Sequence, residues 1–400
     1  MGFTKRRCIT TVFGIVIYVT DVGTDLWVAV QYFEDGRVAW CTLTLLFVLC
    51  GLACAQIFSY AWFCDDGGVA DSADRAVRAD TADSADAVER ADKADSADQL
   101  SRRSAVVLHL LQLGIFIRYY RLLRKAVRTV WVCSPSVRDD TELHRDLFAK
   151  ATDLSMLRLF ETFLESTPQL ILQLYIILGH DHRSVIQYVC ITGSFFNIAW
   201  STVDYRRCFR RSLPDVSEMP WGLPTVVYLS YKLLTVSGRV LALSLLVVLH
   251  TYYVFALAFV WLLGVIWTYR EETDFCTSKH LEKLYRAVVG VILIFTFFNI
   301  KGQNSKLQML VYYVACATQN LLIPVMFFCL EPGAAKSDFF WPVAGVIFTS
   351  TILGLLLLCL FYKFLHRKTE APVADEVDGL RNEGKKDLEA KRRMQAFLQH

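Results

Sequence analysis

Apolar residues in this chain run in long blocks separated by charged clusters, and each block is close to the roughly 20 residues that a helix needs to cross a hydrocarbon layer. Windows of that kind fall at 8–31, 38–63, 150–179, 184–205, 223–249, 252–269, 306–330 and 339–365. Two further apolar stretches, 105–132 and 284–300, are dotted with arginine or too short, and predict partly inserted or interfacial helices. The pattern predicts an all-α polytopic membrane protein with eight transmembrane helices and those two partial ones. The order hairpin, partial helix, hairpin occurs twice, which predicts two related four-helix halves, 1–205 and 206–365, followed by a tail at 366–400.

Composition agrees with a membrane solvent: of 400 residues, 54% are hydrophobic and only 20% charged. A formal net charge of +3 gives no ground for nucleic-acid binding as a bulk property, so the placement of charge matters more. Lys5, Arg6 and Arg7 precede the first block, which is too long for a secretory signal and carries Asp21 and Asp25, so a retained first helix is expected. The stretches 5–7, 206–211, 270–286, 301–306 and 363–368 hold sixteen Lys and Arg. The opposite loops hold only Arg37, Arg183 and Lys336, which puts both termini in the cytosol. Nine of the twelve cysteines sit in or beside apolar blocks and none forms a CxxC pair, so packing is their expected role.

Residues 65–103 form a low-complexity Ala-Asp-x array with eleven acids and six bases and no buriable stripe. It predicts a solvated cytosolic linker, or alternatively an acidic strap for Arg118, Arg121, Arg124, Lys125 and Arg128. Those cations, beside Tyr119 and Trp131, suit a helix against anionic headgroups or the snorkelling end of a buried one.

No nucleotide-binding loop, zinc-protease helix, nucleophile elbow or EF-hand loop occurs, so neither an enzyme nor a metal or cofactor is expected, and any transport should run downhill. The informative groups are charges inside the apolar blocks, where each costs about 2.5–3.5 kcal/mol on insertion scales. Asp21 and Asp25 share a helix face at i and i+4; Arg158, Glu161 and Glu165 share another at i, i+3 and i+7, with Pro168 expected to bend that segment. Asp204 and Arg207 close the fourth span and Arg239 sits deep in the fifth. Such groups pair as internal glue, or they form a hydrated polar ladder that lowers the barrier for a phospholipid headgroup.

In the tail, Asp375-Glu376-Val377-Asp378 followed by Gly379 fits the preference of a caspase-3-like protease for an extended, exposed segment. Cutting after Asp378 frees residues 379–400, with six bases and three acids. Their end, with Arg392, Arg393, Met394, Phe397 and Leu398, is basic and then apolar, which suits an inhibitory plug for an acidic cavity or a contact with headgroups.

The segments VFGIVIYVTDVGTDLWVAVQYF (12–33), LTLLFVLCG (43–51), ATDLSMLRLFETFLESTPQLILQLY (151–175), WSTVDYRRCFRRSLPD (200–215), VYLSYKLLT (227–235) and VVGVILIFTFFNIKGQNSK (288–306), with DEVDG at 375–379, resemble the XK-related family of membrane proteins. The resemblance implies a caspase-activated, energy-independent phospholipid scramblase of the plasma membrane, which exposes phosphatidylserine on apoptotic cells. It implies that Asp21, Asp25, Glu161, Glu165, Asp204, Arg207 and Arg239 belong to matched motifs, and that the tail is inhibitory. The array at 65–103 is unlike the family at that place. Membrane phospholipids and the protease are the implied partners, and no nucleic acid is. Two alternatives stay open: a small-solute transporter or channel, and a subunit partnering another membrane protein. Some relatives join a single-span accessory protein through an intermolecular disulfide, for which a shallow outer thiol such as Cys41 would be needed.

Overall fold

The structure is a computed structural model that describes residues 4–80, 102–132, 137–180, 184–212, 219–271, 273, 275–276, 278–299, 306–333 and 337–365. Outside these lie most of the array, Arg183, Lys336 and the whole tail, with Asp375 to Gly379, Arg392, Arg393, Met394, Phe397 and Leu398. Among the described residues the regular elements are helical and no strand occurs.

Helix α1 spans Lys5–Glu34 and α2 spans Val38–Asp80, so the apolar block of α2 runs on as helix into the start of the Ala-Asp array. Gly36, at φ +70°, makes the tight reversal between them, with the Arg37 amide donating to the Tyr32 carbonyl at 2.8 Å and the Gly36 amide to Phe33 at 3.0 Å. Next come α3 (Arg102–Leu110) and α4 (Gly114–Val127), whose axes bend by 118° across a three-residue break. The arginine-dotted stretch, expected to be interfacial or partly inserted, is a sharp elbow with the form of a broken span or a re-entrant loop.

Helices α5 (Val137–Leu164) and α6 (Ser166–Gly179) divide the expected span 150–179 at Glu165. The proline interrupts the rod one turn before its own position, because Pro168 has no amide to give the Leu164 carbonyl and its ring crowds that group. Helix α7 (Val185–Ser212) completes the first portion. The second comprises α8 (Leu223–Leu249), α9 (Val254–Arg270), α10 (Lys279–Phe295), α11 (Lys306–Leu330) and α12 (Phe340–Leu360), the last continued by a short π turn.

Among the described residues six helices are long and apolar enough to cross a membrane: α1, α2, α8, α9 with its preceding turn, α11 and α12. The α5–α6 pair is broken and α7 carries a polar stripe, so neither is among these six. Helix α8 is the hub, packed on α6, α7, α11 and α12. Small residues bring α8 and α12 close together: a Cβ on Gly238 would stand 2.6 Å from the Ser350 hydroxyl, and one on Gly354 would stand 2.9 Å from the Thr235 methyl. Helix α9, by contrast, packs chiefly on α10 and leaves most of its apolar surface outward. Six cysteines, Cys8, Cys41, Cys54, Cys190, Cys208 and Cys276, are buried; Cys41 packs in the cluster with Val28, Tyr32 and Ile176, whereas Cys190 and Cys208 also meet polar partners.

Candidate functional site

Hydrocarbon cannot satisfy polar groups, so the buried charges in the first portion turn inward and meet one another between α1, α5, α6 and α7. Asp21, Asp25, Arg158, Glu161 and Glu165 are all 0–5% exposed. Asp21 is well supplied with donors: the Ser166 hydroxyl at 2.6 Å, the Asn197 amide at 2.7 Å and the Ser194 hydroxyl at 3.1 Å. The break at Glu165 is what aims Ser166, at the start of α6, toward α1.

Arg158 is the cation of this cluster. It pairs with Glu161 one turn along α5, donates to the Asn197 side-chain oxygen at 3.1 Å, and stands 4.3 Å over the ring of Tyr18. Asp25 accepts from the Cys190 thiol at 2.9 Å, which in turn receives the Gln173 amide at 3.1 Å. The Glu165 side chain packs against Gly51 of α2 and faces the Glu161 carboxyl group, and neither of its oxygens accepts from a donor among the described residues. Asp25 Oδ2 and Glu161 Oε1 are likewise buried without one. The interior thus sets four carboxyl side chains against one guanidinium, with most of its remaining hydrogen bonds from neutral groups.

Asp204, Arg207 and Arg239 lie elsewhere. Asp204 is one-third exposed and reaches Arg7 of α1 at 3.5 Å. Arg207 is buried over the ring of Trp221 at 3.5 Å and donates to the Thr225 hydroxyl at 3.3 Å. Arg239 donates to the Ile294 carbonyl at 3.0 Å and the Asn320 side-chain oxygen at 3.3 Å. Because α10 stops inside the protein, its last carbonyls and the negative end of its dipole need donors, and Arg239 supplies them. Lys232 does related work next to it, donating to the Thr296 hydroxyl at 3.0 Å.

Several contributors carry no charge and escape a search for ionisable groups: Ser166, Gln173, Cys190, Ser194 and Asn197. A signal for the α7 set does exist, since Cys190, Ser194, Asn197 and Ser201 recur at helical spacing and form a polar stripe through an apolar block. Lys232 gave no comparable pattern.

The arrangement is that of a polar seam closed inside a helical membrane bundle. A family described as XK-related protein matches residues 9–367, which takes in every described transmembrane element. The chain belongs to the XK-related family. Among family members, XK-related protein 9 of Tetraodon nigroviridis is 44% identical over 378 residues, covering 94% of this chain and 95% of that one. XK-related protein 8 of Pan troglodytes is 32% identical over 388 residues, covering 95% and 89%. The match therefore spans the polar seam, the elbow and the second portion alike.

Proposed function

We propose that this XK-related protein is a plasma-membrane phospholipid scramblase, closed as the full chain and opened when a caspase-3-like protease cuts after Asp378. In this reading eight spans form two related halves, both termini are cytosolic, and the tail after Asp378 holds the inner face shut until phosphatidylserine is to be exposed. The protein performs no covalent chemistry.

One observation carries the proposal: four buried carboxyl groups gather beside the junction of a broken helix with a single arginine, which pairs with one of them. Such a cluster costs stability, and a headgroup crossing the bilayer meets the same desolvation barrier that these side chains meet. If the seam parts, carboxyl, hydroxyl and amide groups replace the water that a headgroup must shed. The near-complete burial of the seam fits a chain still carrying its tail. The absence of any nucleotide-binding motif fits movement down a gradient.

The test is reconstitution in vesicles with a fluorescent lipid, comparing intact protein, protease-treated protein and Asp378→Ala treated alike. Lipid should equilibrate between leaflets only in the second sample. A cut chain that moves lipid no faster than empty vesicles overturns the proposal. A small-solute transporter or channel is favoured by a separate observation, that the cluster lies inside the bundle and not on its lipid face. Flux of a water-soluble tracer without lipid movement would establish it instead.

A further inference from the structure

The elbow between α3 and α4 contains a directional chain of hydrogen bonds. His109 Nδ1 lies 2.7 Å from the carbonyl of Ala105, and its Nε2 lies 3.0 Å from the Ser59 hydroxyl on α2. Arg118 donates to that same hydroxyl at 2.8 Å, and to the Ser59 carbonyl at 2.8 Å. The Ala105 carbonyl can only accept, so Nδ1 carries a proton. In the neutral ring Nε2 is then a lone pair, which takes the Ser59 proton while Ser59 accepts from Arg118. With neutral imidazole the order Arg118 to Ser59 to His109 to Ala105 runs in one direction, and a protonated ring reverses its Ser59 link.

A second observation marks the elbow as an element under load. Gln112, inside the break, has φ +61°, and it is the non-glycine residue with positive φ among those described. Its side-chain oxygen is buried with no hydrogen-bond partner there. Such a backbone persists only where neighbours hold it. The neighbours are close: a Cβ on Gly114 would stand 2.2 Å from Gln56 Oε1 and 2.5 Å from the His109 ring, while the Gly114 amide donates to Gln56 at 3.1 Å.

We propose that the His109–Ser59–Arg118 chain is a proton-sensitive latch, which keeps the α3–α4 elbow bent on α2 while His109 is neutral and releases it when His109 takes a proton. The charged groups that face the ring are Arg118 and Arg121, both on α4. From α2 it meets Ser59, Tyr60 and Phe63, with Gln56 close by at Gly114. An imidazolium here turns Nε2 into a donor, so that Ser59 must turn its own proton elsewhere, and sets a positive charge beside Arg118 and Arg121, both of which disfavour it. Release would also be felt by the polar seam, because Phe116 of α4 packs 5.3 Å from Tyr18, the ring that Arg158 covers. The proposal stands apart from the identity of any cargo.

Hydrogen exchange of the full chain in lipid nanodiscs, corrected for intrinsic rates, reads the latch through the amides of 110–118. As pH falls through the range about 8 to 5 in which histidine changes charge, the opening equilibrium there should rise by up to about tenfold per pH unit, while α8 stays protected. His109→Gln should abolish the slope and keep the elbow protected; Arg118→Gln, which removes a cation that disfavours the imidazolium, should shrink the slope and confine it to higher pH. A flat wild-type profile overturns the latch on its own. A slope that survives in a folded His109→Gln protein overturns it equally, by assigning the proton to another group.

Discussion

Gly51 of α2 lies directly against Glu165 at the α5–α6 break: a Cβ at position 51 would come 2.7 Å from the Glu165 Cβ and 3.2 Å from its Oε2. The smallest side chain therefore admits a buried carboxyl group between two helices. Gly51→Ala should force α2 away from the break and cost about 1–3 kcal/mol, the usual range for overfilling a packed core. Thermal unfolding in detergent checks this, and Gly193→Ala, whose added methyl would meet nothing within 4 Å, is the matched control that should leave the midpoint in place.

Arg158 and Glu165 should behave in opposite ways. Arg158→Leu removes the cation from a cluster of four carboxyl groups and is expected to destabilise by about 3–5 kcal/mol, as when one member of a buried ion pair is deleted. Glu165→Gln replaces a buried carboxyl group that faces the Glu161 carboxyl and accepts from no donor among the described residues, so the midpoint should hold or rise. Under the proposed function the same Glu165→Gln protein, once cut, should move lipid more slowly. Stability rising while transport falls is a combination that a purely structural role would not give.

Asp21→Leu and Glu161→Leu are expected to weaken lipid movement while protein still accumulates in the membrane. Scrambling in vesicles and yield by size exclusion are read together. Wholly misfolded protein from both changes would assign the cluster to structure alone.

Asn197 joins the two ends of the seam, since its amide serves Asp21 while its oxygen receives Arg158. Asn197→Ala should cost about 1–3 kcal/mol through the groups it leaves unpaired, and Asn197→Asp should be worse, because it adds an acid and removes a donor. The ranking of their unfolding midpoints checks the argument.

Arg239 should matter to α10 more than to the seam. Arg239→Met leaves the Ile294 carbonyl without its donor and should loosen the last turn of α10, seen as faster hydrogen exchange at 291–296 with α1 unaffected. Arg239→Lys should restore part of that protection, as a single donor cannot reproduce the guanidinium's two contacts.

How these elements arise separates local from non-local causes. Apolar blocks and charged punctuation in the sequence place α1, α2, α8, α9, α11 and α12, because partition of a helix into lipid depends on the residues of that helix alone. The seam residues Asp21, Asp25, Arg158, Glu161 and Glu165 were legible as misfits in apolar surroundings, and Pro168 announced a break, although its steric effect falls one turn earlier. Tertiary packing decided which misfits meet. Asp21 finds Ser166, Ser194 and Asn197 on two other helices, Asp204 turns instead to Arg7, and Arg239 serves a backbone carbonyl that has no signature in the amino-acid code. Helical period fixes the face on which a side chain stands, but only the crossing of whole helices fixes the face opposite.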